Sequence, residues 1–318
     1  MAALRFKTNL LEHTKAVGRW AQARGGRATV DACTFVLDVS LGERRARLWP
    51  QFVGTRGGEQ LVYFDQPDRH AVGFVGWSPG PPQAWDLSLS KLAFKQLAQR
   101  LGLATPAWWT SPVGVDAPVL VKRARGAFGY GMHGPYPAAA AASLVLAEGE
   151  YLEAFHVGRI ARAWYWCGRL AVLECFDMPG LAADGQRSWQ ALLLHAGQAE
   201  PGAVADLLAL QGQALDAVAT AGTRVVADYR YVSPLNPTVY ANANVVHRLR
   251  GTPCGQQFEA AGRALWPHIP GPEGRQVGFV LDAIVDAQDR VWLLEINSNA
   301  QGHPDAVAPM LDGLFGFA

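Results

Sequence analysis

Cysteine is scarce in this chain, with four in 318 residues, and Cys33, Cys167, Cys175 and Cys254 lie far apart without a C-x-x-C pair. That spacing offers neither a zinc ribbon nor a disulfide framework, and it leaves reduced, mostly buried thiols as the expectation. No apolar run approaches the roughly 18 residues of a membrane span, and the opening stretch MAALRFKTNLLEHTK interrupts its apolar residues with charges. The formal net charge is +1 and no basic stripe gathers the lysines and arginines, so nucleic acid is set aside as a partner. No internal repeat and no low-complexity tract is present. These absences leave a soluble cytoplasmic protein, without membrane attachment, as the expectation.

Half of the residues are hydrophobic and 17% are charged, the balance of a chain that folds. Its length exceeds one ordinary core, so two or three lobes around a cleft are expected. Strand-like runs at Cys33–Asp38 and Gln60–Phe64 precede a breaker-rich stretch, Trp77-Ser-Pro-Gly-Pro-Pro-Gln83, that reads as a linker. From Asp86, Leu92, Phe94, Leu97, Ala98 and Leu101 recur at helical spacing up to Gly102, with Lys91 and Lys95 one turn apart. Strands are expected at Ala117–Lys122, Gly149–Phe155, Ile160–Trp166 and Leu170–Phe176. Helix is expected over the alanine-rich 137–147 and over 204–221, with a mobile excursion at 181–202. A further strand or two is expected through Val225–Asp228, Tyr231 and Tyr240–Val246. Helices alternating with strands, then antiparallel strands, indicate an α+β architecture.

The strongest local signal is Val277–Asp286 and Val291–Asn297 around the polar turn Ala287-Gln-Asp-Arg290, a hairpin pattern. With those four residues as the turn, Asp282 faces Glu295 at about 5 Å between Cβ atoms. The period of two adds Asn297 to the same face. Opposed carboxylates repel, which asks for a compensating cation, and few hard oxygens suit Mg²⁺ better than zinc. A solvent-facing edge hairpin is the plainer alternative. The apolar neighbours Phe279, Leu281, Ile284, Leu293 and Ile296 weigh against it, because both faces of the hairpin are then partly covered.

Lys122 ends an apolar strand beside a loop carrying Gly126, Gly129 and Gly131. Glycines let backbone N–H groups approach a phosphate, and the lysine adds a point charge. A flexible surface turn accounts for the glycines equally well. The segment is neither a P-loop, since no G-K-S/T follows, nor a dinucleotide fingerprint. His133 beside it reads as a solvated loop residue.

The succession of motifs is Ser90-Lys91-Leu-Ala-Phe-Lys95, then Pro118-Val-Leu-Val-Lys122 with the glycine loop, then Glu153-Ala-Phe155, then Asp282 and Leu294-Glu-Ile-Asn297. It resembles the ATP-grasp superfamily over roughly residues 86–300, with D-alanine–D-alanine ligases and ribosomal-protein glutamate ligases as the nearest analogies. The resemblance implies an ATP-grasp fold: a smaller N-terminal lobe (1–85), a central subdomain with the glycine loop (86–155) and a C-terminal subdomain with the hairpin (156–318). It implies that Lys95 and Lys122 hold ATP phosphates under a loop of Gly126, Gly129 and Gly131, and that Glu153 contacts adenine or ribose. Asp282, Glu295 and Asn297 would then hold two Mg²⁺ ions. The implied reaction activates a carboxylate as an acyl phosphate and passes it to an amine, on amino-acid or peptide substrates, in a protein that is a homodimer by prior.

Two departures stand out. Val280 occupies the place where those ligases often carry a charge-stabilising arginine, and Arg230, with Arg162 behind it, is the candidate to replace it. After Asn297 the run Ser298-Asn-Ala-Gln-Gly-His303 differs from the family, so Asn299 and His303 are candidates to face a different substrate. Tyr231, Tyr240, Asn242 and Asn244 are candidate pocket residues, against the plainer reading of surface turns. Two alternatives to the ligase remain open: a kinase on the same fold, and a nucleotide-binding regulatory module without turnover.

Overall fold

The computed structural model describes residues 10–55, 61–80, 83, 85–126, 129, 131–198, 200–231, 233, 235, 244–270, 276–298 and 302–317. Helix α1 (Leu10–Ala23) turns Val17, Trp20 and Ala21 inward onto a five-stranded antiparallel sheet of β1 (Arg27–Val30), β2 (Leu37–Leu41), β3 (Arg44–Thr55), β4 (Leu61–Phe64) and β5 (Ala71–Ser78). The strand expected at Cys33 begins only at Leu37. The Asp31 carboxylate accepts the backbone N–H groups of Cys33 and Thr34 at 2.9 and 2.7 Å, and this Asx turn competes with the ladder.

The expected single helix from Asp86 is two: α2 (Asp86–Leu89) and α3 (Lys91–Arg100). Ser90, extended at φ −124°, accepts the Ala93 N–H with its hydroxyl and so restarts the helix as its N-cap. A four-stranded sheet follows, with β6 (Trp108–Trp109), β7 (Val119–Arg123), β8 (His133–Tyr136) and β9 (Glu150–Ala154) in the order β6-β9-β7-β8. Between β8 and β9 the alanine-rich stretch supplies only one turn, α4 (Ala138–Ala141). Beyond it the Ser143 hydroxyl donates back to the Ala140 carbonyl, the local bond that makes serine a poor helix interior.

Strands β10 (Arg159–Trp166) and β11 (Arg169–Asp177) open the third sheet. The stretch expected as a mobile excursion is instead packed. A ribbon of β12 (Gly180–Ala182) and β13 (Arg224–Val226) encloses α5 (Trp189–His195) and α6 (Ala205–Ala209), and Trp189, Leu193, Leu207 and Leu208 form a small core. The helix expected to reach residue 221 stops at Ala209, and Gly212 takes a left-handed φ of 72° just beyond. Helices α7 (Val246–Leu249) and α8 (Pro253–Leu265) lead to β14 (Gly278–Val285) and β15 (Val291–Asn297), which complete a sheet of order β11-β10-β14-β15. Helix α9 (Val307–Phe315) then returns to pack against α1 and the first sheet.

Every strand pairing in the described residues is antiparallel, so the α+β class holds. The third sheet has two chemically distinct faces. Ala161, Ala163, Tyr165, Leu173, Phe279, Leu281, Ala283, Leu293 and Ile296 build the main core with α3 and α8, and the opposite face carries the polar residues of the next section. The cysteines are free, but only Cys254 is buried and Cys33 is exposed, against the expectation of mostly buried thiols. Among the described residues no helix is long and apolar enough to cross a membrane.

Candidate functional site

The hairpin places Asp282 opposite Glu295, as the sequence suggests, by a different route. The connection is five residues long, since Val285 pairs with Val291, Ile284 with Trp292 and Ala283 with Leu293. The register then slips by one, leaving Leu294 unpaired, so that Asp282 meets Glu295 and Val280 meets Asn297. The extra residue is a β-bulge. The turn owes its length to Asp286, whose carboxylate accepts the N–H groups of Gln288 and Arg290 at 2.9 and 3.0 Å.

Across the sheet the registers align Glu174 on β11, Arg162 on β10, Asp282 on β14 and Glu295 on β15 in one row. Both ends of the Arg162 guanidinium donate to Asp282, one of them at 2.9 Å, and the Asn297 amide donates to the same carboxylate at 2.9 Å. Burial pushes the Asp282 carboxyl above its ordinary range despite Arg162. Burial pushes Glu295 the same way, but Lys91, joined by Lys122 and Arg162, outweighs it and holds Glu295 low. Tyr231 stacks on Arg162 at 4.0 Å and donates its hydroxyl to Glu174, which is 1% exposed.

Helix α3 serves two sites at once. Lys91 reaches the Glu295 carboxylate at 2.9 Å and the Gly126 carbonyl at 2.8 Å, tying the hairpin to the glycine loop. One turn later Lys95, fully enclosed, meets Glu153 at 2.7 Å and Thr105 Oγ1 at 2.9 Å. Lys122, from β7, donates to the other oxygen of Glu153. Burial alone would raise the Glu153 carboxyl, but Lys122 and Lys95 outweigh it and hold it at about 2. Lys95 is lowered by burial, with Glu153 opposing.

Gly126, Gly129 and Gly131 all have positive φ, at 147°, 69° and 72°. At Gly126 this matters, because its carbonyl is the one Lys91 takes. Of the two arginine candidates, Arg162 contacts the hairpin, whereas Arg230 forms a two-pronged pair with Asp228 at 2.9 and 2.7 Å. His133 is exposed, but it opens β8 opposite Val121 rather than lying in a loop. His303 lies buried near Glu174 and against the Trp164 ring. Asn244 bridges to Glu174 on β11, while Tyr240, Asn242 and Asn299 fall outside the described residues. A cleft of about 110 Å³ lies beside Val280 and Asn297, lined by Trp77, Trp164, Ser298 and Met310 among others.

Lys91 and Glu174 are site residues that the sequence reading did not assign. For Lys91 a signal existed, since it lies one helical turn from Lys95 on the same face. For Glu174 nothing in the sequence linked it to Arg162, because that contact is a sheet register.

Lys91, Lys95, Lys122 and Arg162 are four cationic side chains among the four carboxylates Glu153, Glu174, Asp282 and Glu295. A polyphosphate adds negative charge that this balanced set does not offset by itself. Among the described residues no three His, Cys, Asp or Glu side chains group as an all-protein metal cage. Two carboxylates with an amide do fit a hard cation that completes its shell from phosphate and water.

No family model matches the chain, and no curated protein does. Among solved structures the chain is similar to a bifunctional glutathione synthetase from Pasteurella multocida at TM-score 0.43 and 13% identity, covering 96% of this chain and 43% of that one. It is also similar to the VanG D-Ala:D-Ser ligase from Enterococcus faecalis at TM-score 0.40 and 12% identity, covering 72% of this chain and 61% of that one. A third similarity is to the ATP-grasp ligase PsnB, complexed with minimal precursor, at TM-score 0.37 and 11% identity, covering 73% and 61%. The chain therefore spans less than two thirds of the length of each of these proteins. These likenesses are to a synthetase and two ligases, the last of them an ATP-grasp ligase.

Proposed function

We propose that the chain is an ATP- and Mg²⁺-dependent carboxylate–amine ligase of the ATP-grasp type, acting on an amino acid or peptide. One observation carries the reading: α3 sends Lys91 to Glu295 and Lys95 to Glu153, so the carboxylate hairpin and the lysine-rich site are both anchored to one helix by residues about 6 Å apart along its axis. Such a juxtaposition suits a nucleotide whose phosphates bridge lysines on one side and a hard cation on the other.

In this reading Lys122 and Lys95 draw the phosphates, and the glycine loop, tied through Gly126 to Lys91, covers them and excludes water. Asp282, Glu295 and Asn297 are the residues that would hold Mg²⁺, which would supply positive charge to a transferring phosphoryl group. Arg162, already on Asp282, stands beside the reacting end and takes the role of the arginine that Val280 replaces. The carboxylate substrate lies in the cleft beside Asn297, where Trp77 and Trp164 shelter the acyl phosphate from water until an amine attacks. The division of the chain near residues 85 and 155 into three lobes belongs to the same proposal.

The test is release of ADP and phosphate from ATP with Mg²⁺, screened across amino acids and short peptides singly and in pairs. Release that needs a carboxylate and an amine together supports the ligase. Release with one substrate and a stable phosphorylated product makes the protein a kinase, and nucleotide binding without turnover on any pair makes it a regulatory module.

A further inference from the structure

Glu153 is 1% exposed, and its described side-chain contacts are to two lysines and a tyrosine hydroxyl. One oxygen accepts from Lys122. The other accepts from Lys95 at 2.7 Å and from the Tyr151 hydroxyl at 3.2 Å. The backbone of Glu153 is held from both sides, since β9 pairs Glu153 with Trp108 of β6 and with Leu120 of β7. A side chain so committed has no surface to offer an adenine or a ribose, the contact that the family resemblance implied.

We propose that Glu153 is a positioning residue: its carboxylate sets the spacing of Lys95 and Lys122, and so fixes where the anionic part of a nucleotide lies, without touching the nucleotide itself. This rests on the reading of the two lysines as a phosphate site. The lysines come from elements with no shared ladder, α3 and β7, and each has a long flexible stem. Glu153, on the central strand β9, joins them through its two oxygens. Their roles also separate by depth. Lys95 is fully enclosed, while the Lys122 side chain keeps 11% of its surface exposed, so Lys122 stands nearer the open edge and Lys95 deeper, with Glu153 between them.

The discriminating probe is inorganic tripolyphosphate, which has phosphates but neither base nor sugar. Its affinity and that of Mg²⁺-ATP are measured on the full chain, in wild type and Glu153→Gln, with folding checked by circular dichroism and thermal melting. A positioning role predicts that Glu153→Gln weakens both ligands by the same factor, tenfold or more at pH 8.5 and less at pH 7. The pH dependence follows because Lys95 loses the carboxylate that opposes its burial, with Lys122, Tyr151 and the more distant Glu295 as the other titratable groups facing it. Weakened ATP with unchanged tripolyphosphate would assign Glu153 to the base or sugar and overturn the proposal, and unchanged affinity for both would overturn it as well. If wild type binds neither probe, the phosphate-site reading itself fails. Should Glu153→Gln not fold, Glu153→Asp keeps the charge but lacks the reach to both lysines. It is expected to weaken both ligands equally, and loss of ATP alone or of neither overturns the proposal in the same way.

Discussion

Asp282 faces Glu295 across the hairpin because Leu294 is left out of the ladder. Without that bulge Glu295 would pair with Leu281, on the face that packs against α3 and α8, and a carboxylate would point into the core. One extra residue thus turns Glu295 and Asn297 onto the polar face while Leu293 and Ile296 stay apolar-side, because a shift of one residue exchanges the faces of a strand.

Deleting Leu294 is therefore expected to close the bulge and keep the facing pairs: Leu293 stays opposite Ala283, Glu295 follows it directly, and Glu295 and Asn297 remain opposite Asp282 and Val280 on the polar face. The cost is about 2 kcal/mol or less of side-chain packing, as for Leu294→Ala, and nucleotide turnover is retained. Denaturant unfolding and ADP release of the deletion variant beside Leu294→Ala check this, and a deletion variant that loses several kcal/mol more than the alanine variant overturns the role given to the bulge.

Glu295→Gln keeps the shape and the register, so its melting temperature stays within a few degrees of wild type, while Mg²⁺-dependent ADP release falls at least a hundredfold. An active Glu295→Gln protein sinks the cation assignment.

Arg162→Ala leaves Asp282, whose side chain is 15% exposed, beside Glu295 without its counter-ion. The expected destabilisation is about 3 kcal/mol, with loss of turnover. Arg162→Lys restores part of the stability but less of the activity, because an ammonium cannot make the two-pronged contact. Arg230→Ala is expected to leave turnover within a fewfold of wild type, and a severe defect there would return Arg230 to the site.

Two buried groups set two separate acid windows. His13, 2% exposed among Phe74 and Trp77, is pushed by burial from 6.5 to about 4. A depressed histidine is neutral in the fold and protonates more readily in the unfolded chain. Its contribution is complete above pH 6.5 and is lost as pH falls toward 4. Glu153, held at about 2 against an ordinary 4.5, contributes above pH 4.5 and loses that contribution as pH falls toward 2. Each window is worth roughly 3 kcal/mol. Unfolding free energy measured from pH 7.5 to 2.5 should flatten between 6.5 and 4 in His13→Phe, and between 4.5 and 2.5 in Glu153→Gln.

Much of the architecture was legible because it is written in local periods. The alternation in Arg159–Trp166, Arg169–Asp177, Gly278–Val285 and Val291–Asn297 marks strands within a residue or two of their ends, and the apolar spacing of Phe94, Leu97 and Ala98 marks α3. Composition misled where local bonds or packing competed. The alanines of 138–147 and the leucines of 204–221 have helical composition, yet helix ends at Ala141 and Ala209, and the stretch around Trp189 is ordered by a core that no local pattern announces.

The site divides along the same line. The sequence by itself determined which residue types lie near one another in the hairpin, that glycines follow Lys122, and that Lys91 and Lys95 share a helix face, because each of these is a matter of a few bonds along one chain. Only the tertiary structure decided that Lys91 belongs to Glu295, that Arg162 rather than Arg230 meets Asp282, and that Glu153 lies between two lysines. Those pairings join elements up to 204 residues apart in sequence. They are fixed by sheet register and by the docking of α3, which depend on how every face finds its core.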